Sequence, residues 1–478
     1  MILQTNEASA KRPTRLTMLL MLGALLLAAI LTAGTTGGRA SANYLPGEFP
    51  EAQLRQYLDH ASRTMGLPAL SVEVSYQGDT VFEYARGKGV TTDTLSYIGS
   101  ISKSFTALAI MQLAESGRIE LDAPVSRYLT EFRVSDQITV QHLLNQVGGM
   151  TDLDYMPDLP VDASFDDLIG DMNNIPLRHV PGETFAYFNQ NYSLLGAMVE
   201  KVSGQTYEAY VEEHILIPLG LERTYLRGEV DVTGHMTAFA ISIPRHEPFL
   251  RYDLPGGYIT STVTDMVTYL DLLSARDARL GVSPEGIDMM MHSDPYGMGW
   301  ITGSVAGRPA VYHGGSLPGY VANSVMLTED GYNIAILTNK NHLFYSLFLY
   351  PDLTSGIVSI ITGQQPPSRA YLAWILRALL LVAIVNILVS FKKSLRLIRE
   401  ARPMQRTKRL AKIAINLAIP VALVSLIPVI AAFVLGRGIT WPLAFAMMPD
   451  MFIWMALGML THLVDSVVHL YLLARVDR

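Results

Sequence analysis

Ser100-Ile101-Ser102-Lys103 places a hydroxyl and an amine three residues apart. On a helix that spacing sets both side chains on one face, within reach of each other. Gly99 precedes the serine, so Ser100 opens the helix, where free backbone N–H groups and the helix dipole favour developing negative charge. A serine hydroxyl is a poor nucleophile until a base takes its proton, and a lysine in apolar surroundings can have its pKa lowered enough to help. Taken alone, the same four residues also describe an N-capping serine beside a solvated lysine.

A second group is Tyr187-Phe188-Asn189, after Pro181-Gly182-Glu183. A phenol held beside a cation such as Lys103 can act as general base. The Asn189 amide can hold a substrate carbonyl or the lysine. The third group is His313-Gly314-Gly315, ahead of Ser316-Leu317-Pro318-Gly319. Its glycines would let a substrate backbone lie along a strand edge as an added strand, and His313 is placed to bind a substrate carboxylate or to tune the tyrosine. A packing tyrosine and a glycine-rich hairpin with a solvated histidine are the plain alternatives.

These groups need elements to carry them. Glu51–Met65 reads as an amphipathic helix, and Ala69–Tyr76 and Thr80–Tyr84 as a hairpin turned at Gln77-Gly78-Asp79. A helix begins around Ser100 and stops at Gly117. A largely helical middle follows, then short strand-like runs at Gly299–Ser304, Ala310–His313, Val321–Leu327 and Tyr332–Leu337. Strands, then helices, then strands again predict an α/β (α+β) domain: one antiparallel sheet, split in sequence, flanked by helices with a helical subdomain inserted.

In order and spacing, the three groups resemble the active-site motifs of serine penicillin-binding proteins and class C β-lactamases. Tyr97-Ile98-Gly99-Ser100-Ile101-Ser102-Lys103-Ser104-Phe105-Thr106 is similar to that family's nucleophile helix. Asp122-Ala123-Pro124-Val125, Ile138–Leu144, Pro218-Leu219-Gly220-Leu221, Gly256-Gly257-Tyr258 and Tyr296-Gly297-Met298-Gly299-Trp300 are similar to its connecting signatures, so the likeness spans 50–340. The resemblance implies that Ser100 is acylated while Lys103 and Tyr187 shuttle its proton. It implies an oxyanion hole from the backbone N–H groups of Ser100 and Ser316, and substrate positioning by Asn189, His313, Gly314 and Gly315. Two departures stand out. His313 occupies a position where β-lactamases carry lysine and where D-aminopeptidase, DD-carboxypeptidase and esterase members tend to carry histidine. Gln146-Val147-Gly148-Gly149 replaces a landmark usually reading H-T-S-G, which bears on the local loop geometry.

Composition sets the surroundings. Half of the 478 residues are hydrophobic and none is cysteine, which excludes disulfides, cysteine nucleophiles and thiolate metal sites. Net charge is about +9 from Tyr371 onward, about +3 in the first 42 residues and about −19 between. Such an acidic middle argues against nucleic-acid binding. Lys11, Arg12 and Arg15, an apolar run and Ala40-Ser41-Ala42 read as a signal peptide or N-terminal anchor over 1–42. The hydrolase domain is expected over 43–363 and three transmembrane helices over 364–478, at about 371–390, 413–435 and 451–473. Between the first two lie nine Lys or Arg from Lys392 to Lys412 against Glu400 alone, so this loop is expected in the cytoplasm and the hydrolase domain outside the cell membrane.

Three C-terminal helices behind such a domain resemble membrane peptidases that mature prodrug forms of secondary metabolites by removing an acylated D-amino-acid cap. The expected reaction is therefore acyl transfer to Ser100 and hydrolysis of an amide or peptide bond next to a D-residue. An esterase, a weak β-lactamase and a non-turnover penicillin sensor are the alternatives. The expected partners are a small peptide or acyl-D-amino-acid substrate and membrane lipid; a homodimer is left open. No cofactor or metal is expected, since His142, His179, His235, His246 and His292 lack paired ligand spacing. His462, Asp465 and His469 share one face of the last span and suggest an interhelical polar cluster, with Arg377 snorkelling outward or meeting Asp450.

Overall fold

The computed structural model describes residues 49–367 apart from 240, 293 and 295, together with 372–400, 405–435 and 441–476. The signal or anchor expected over 1–42 lies outside the described residues.

Helix α1, Glu51–Met65, buries Leu54, Leu58, Ala61 and Met65 and ends where Gly66 turns left-handed at φ 61°. Strands β1, Ala69–Tyr76, and β2, Asp79–Gly87, follow. They are joined by Gln77 and Gly78 at φ 52° and 92°, a pair of positive values that matches the natural twist of a hairpin. A single 3₁₀ turn at Gly99–Ile101 leads into α2, Ser102–Glu115, which is buried on nearly all sides. That fits its apolar residues, which form no single stripe, because such a helix must sit inside the protein.

The inserted middle is helical, with α3 at Gln190–Ser203, a small hairpin of β3, Gly234–Ala238, and β4, Ile241–Arg245, and then α4, Val263–Ala275. The chain returns to the sheet as β5, Ile301–Val305, β6, Arg308–Leu317, β7, Tyr320–Leu327, and β8, Tyr332–Thr338. A short β9, Lys340–Asn341, and helix α5, Tyr350–Ile361, close this part.

The main sheet has the order β2-β1-β8-β7-β6-β5, antiparallel throughout. Its first two strands come from the start of the chain and the other four from far along it, as the split pattern predicts. One face buries Val72, Val74, Ile334 and Ile336 against α1 and α5. The other buries Val311, Ala322, Ala335 and Leu337 against the helical region that holds α2, α3 and α4. A second sheet runs β9-β3-β4, with β9 parallel to β3.

The C-terminal region is helical: α6, Ala373–Glu400, α7, Arg406–Leu435, α8, Trp441–Met447, and α9, Pro449–Val476. Arg377–Glu400 and Pro449–Ala474 are long and apolar enough to cross a membrane by length and composition. Helix α9 lies against α6 and α7, and α8 and α9 both lie against β3.

Candidate active site

Ser100 stands half-exposed in the 3₁₀ turn that opens α2, and Lys103, one turn on, is fully buried. The Lys103 ammonium uses all three of its donors. It reaches Ser100 Oγ at 3.2 Å, Asn189 Oδ1 at 2.9 Å and the Gly256 carbonyl at 2.6 Å. It also lies 5.0 Å from the ring centroid of Tyr187 and 5.7 Å from that of Tyr192, within cation–π range. A buried amine held by three acceptors cannot swing away, so its distance to the serine oxygen is set by the fold.

The Tyr187 segment is held by Gln146-Val147-Gly148-Gly149. Gln146 is buried and takes φ 57°, uncommon for a residue with a side chain. Its carbonyl accepts from Ala186 N at 2.9 Å. Its Oε1 accepts from Phe188 N at 3.0 Å and from Asn191 Nδ2 at 2.7 Å. The backbone N–H groups on both sides of Tyr187 are thus bonded to one glutamine, and Val147 and Gly149 carbonyls take Gly182 N and Arg178 N. The departure from the usual landmark still yields an ordered loop, because one glutamine supplies the acceptors through its backbone carbonyl and its side-chain oxygen.

The third wall is the end of β6. Strand β5 pairs with β6 only as far as Tyr312, so 313–317 present an open edge on which Gly314 and Ser316 are exposed. Ladder bonds alternate along β6 and β7 from the closing pair Leu317 and Tyr320, which turns the N–H of Ser316 away from β7 and toward that edge. A β-carbon on Gly315 would collide with the Ile98 carbonyl, and one on Gly99, at φ 55°, would collide with Ser316 N. The glycines at these two positions let the strand press against the mouth of α2, which brings Ser316 N against Gly99, the residue before Ser100. The reason for Gly315 is therefore packing against Ile98.

His313 is buried, and both of its nitrogens are engaged. Nδ1–H donates to the Gly314 carbonyl at 2.7 Å, and Nε2 accepts from the Tyr296 hydroxyl at 2.8 Å. Burial, reinforced by the nearby Lys103 charge, pushes its pKa down to about 4, so it is neutral at pH 7. A neutral ring with no free nitrogen offers little to a substrate carboxylate. Its link to the tyrosine is indirect: Tyr296 packs edge-on against Tyr187 with centroids 6.0 Å apart.

Sequence reasoning did not single out Tyr296, Gln146, the Gly256 carbonyl or Asn341 as parts of the site. Asn341 donates from Nδ2 to Ser316 Oγ and to the Leu317 carbonyl, both at 2.8 Å. Tyr296 and Gly256 fall within the quoted connecting signatures and Gln146 within the altered landmark, whereas Asn341 carried no signal.

Away from this site, Asp465 accepts from Asn416 Nδ2 at 3.1 Å, and His462 Nδ1 lies 3.3 Å from Asn416 Oδ1. His469 Nε2 is 4.0 Å from Asp465. These residues tie α9 to α7 by polar contacts. Arg377 contacts the Thr64 carbonyl at 3.5 Å and lies over the Trp374 ring, while Asp450 is engaged by His342.

The family model described as Beta-lactamase matches residues 54–351. The protein Flp of Staphylococcus aureus strain MW2 is 25% identical over 326 residues, covering 61% of this chain and 63% of that protein. The chain thus spans less than two thirds of that relative's length. The octameric penicillin-binding protein homologue from Pyrococcus abyssi superposes with TM-score 0.60 at 28% identity, covering 69% of this chain and 81% of the other. A D-stereospecific amidohydrolase from Streptomyces sp. gives TM-score 0.52 at 25% identity, covering 61% and 94%.

Proposed function

Because the chain belongs to the beta-lactamase family of serine hydrolases, we propose that it is a membrane-anchored extracytoplasmic hydrolase that cleaves an amide or peptide bond next to a D-amino acid through an acyl-enzyme on Ser100. The observation that carries the reading is Lys103 Nζ, buried and fully bonded, at 3.2 Å from Ser100 Oγ.

In this mechanism the Lys103–Tyr187 pair enters the step one proton short, as amine with phenol or as ammonium with phenolate; Ser100 Oγ attacks the substrate carbonyl carbon, and its proton passes to that pair. The carbonyl oxygen gains charge between the N–H groups of Ser100 and Ser316. The tetrahedral intermediate collapses, the C–N bond breaks, and the same pair returns the proton to the leaving amine. Water then repeats the sequence on the ester, releasing the acid and restoring Ser100. Asn189 keeps Lys103 aligned, and the open edge at Gly314–Ser316 is the place for the substrate backbone.

Preference for a D-residue is supported by the likeness to the D-stereospecific amidohydrolase from Streptomyces sp.. Membrane anchoring is supported by the two apolar helices, and an outward orientation by the basic run from Lys392 to Lys412. Removal of an acylated D-amino-acid cap from a prodrug is the narrower form of the same reading.

The test is Ser100→Ala and wild type against a panel of acylated D- and L-amino-acid amides, with a fluorescent penicillin alongside. Wild type should release amine repeatedly from D-substrates, and Ser100→Ala should release none. A wild type that acylates once and holds the label would make the protein a penicillin sensor. Equal turnover of L-amides would remove the D-specific part.

A further inference from the structure

A chain of three buried side chains joins the start of α9 to the strand that presents Ser316. At its lower end, Asp450 sits in the first turn of α9 and accepts from His342 Nε2–H at 3.1 Å. The His342 tautomer is fixed from its other side, since the backbone N–H of Phe344 donates to Nδ1 at 3.1 Å. Next, the His342 backbone N–H donates to Asn341 Oδ1 at 2.7 Å, and Ser346 Oγ donates to the same atom at 2.7 Å. Finally, Asn341 Nδ2 donates to Ser316 Oγ and the Leu317 carbonyl at 2.8 Å. Asn341, His342 and Asp450 are all nearly inaccessible to solvent.

A second contact runs in parallel. Strand β3 lies between the Pro318-Gly319 turn and helices α8 and α9. His235 N donates to the Gly319 carbonyl at 3.3 Å, and a β-carbon on Gly234 would meet the Tyr320 ring at 2.6 Å. The β6–β7 turn is therefore gripped by Asn341 and backed by β3.

A buried carboxylate is costly to keep, and one oxygen of Asp450, Oδ2, has no hydrogen-bond partner among the described residues. Its Oδ1 also accepts from Met451 N at 2.9 Å, so the carboxylate holds the start of α9 and His342 at once. Through the same oxygen the carboxylate couples the first turn of α9 to His342, whose backbone N–H holds Asn341.

We infer that Asp450 and His342 are positioning residues for the oxyanion-hole strand, so that the membrane-embedded helix α9 sets the placement of the Ser316 N–H. This rests on the proposed role of that N–H. It makes the C-terminal helices part of the hydrolytic machinery rather than a tether.

The experiment uses the full chain in lipid nanodiscs with N-acetyl-D-phenylalanine methyl ester and its thionoester, in which sulfur replaces the carbonyl oxygen. Sulfur fits an oxyanion hole poorly, so the oxygen-to-sulfur rate ratio reads the hole itself. His342→Ala, Asp450→Ala and the gentler Asp450→Asn should slow acylation about ten- to hundredfold, the scale of a small misplacement. KM should stay within about twofold, the oxygen-to-sulfur ratio should shrink, and the double variant should be no slower than the worse single one. Unchanged rates overturn the inference. So do additive losses, or slower rates at an unchanged oxygen-to-sulfur ratio, which would mark general loosening. Wild type and Ser100→Ala run in parallel: equal activity in those two removes the hydrolase reading and this inference with it, whereas an active wild type, a dead Ser100→Ala and unaffected Asp450 variants remove the inference alone.

Discussion

Gly99 and Gly315 face each other across the mouth of the site, and neither has room for a β-carbon: one built on Gly99 would strike Ser316 N, and one on Gly315 would strike the Ile98 carbonyl. Gly315→Ala must therefore push β6 away from the start of α2. If Ser316 N is an oxyanion donor as proposed, acylation by a fluorescent penicillin should fall by about 10²–10³, the scale of losing one such donor. Gly314 is exposed, and the nearest atom to its β-carbon is Asn323 Oδ1 at 3.3 Å. Gly314→Ala should lose much less, and equal losses at both positions would contradict this account.

The neutral state of His313 has a pH consequence. Its pKa is about 4 in the folded protein against an ordinary value of 6.5. Between these values the unfolded chain binds the proton and the folded protein does not, so stability is full above pH 6.5 and falls as the pH drops toward 4. The loss from this group is up to about 3 kcal/mol. His313→Gln should show a smaller drop in melting temperature between pH 7 and pH 4.5 than wild type does. An unchanged drop would mean that His313 is not held neutral.

Gln146 combines a positive φ with the acceptor that holds the Phe188 and Asn191 donors. Gln146→Ala leaves those buried donors unpaired, costing about 1–3 kcal/mol each in the worst case. Gln146→Gly loses the same bonds but relaxes the backbone, so it should be the more stable of the two by about 1 kcal/mol. Both should lower kcat, because the segment holding Tyr187 is freed. Thermal melts and steady-state kinetics on the pair check the ordering.

The absence of cysteine makes single-cysteine labelling direct. Lys88→Cys, on an exposed turn of the hydrolase domain, should react with a membrane-impermeant maleimide in intact cells. Arg399→Cys, exposed near the end of α6, should react only after the cells are opened. The reverse pattern would invert the proposed orientation.

How much of this was legible in the sequence depends on how local each signal was. Ser100 and Lys103 are three residues apart, and helical geometry alone brings them together. The strands at 69–76 and 321–327 follow from β-branched and aromatic runs between turn residues, and the helix at 51–65 from its apolar spacing. Span length and basic flanks were enough to mark the apolar C-terminal helices.

The tertiary structure decided what depends on contacts between distant segments. His313 reads as a substrate ligand in sequence, but burial beside Tyr296 and Lys103 makes it neutral and occupies both nitrogens. Gln146 reads as a departure from a motif, yet the fold turns its amide into the clasp of the Tyr187 segment. Asp450 and His342 are more than a hundred positions apart and carry no local pattern at all. Spacing along a chain fixes which side chains share one turn of one element; which groups are desolvated together, and so which charges and hydrogen bonds survive, is fixed only when separate elements pack.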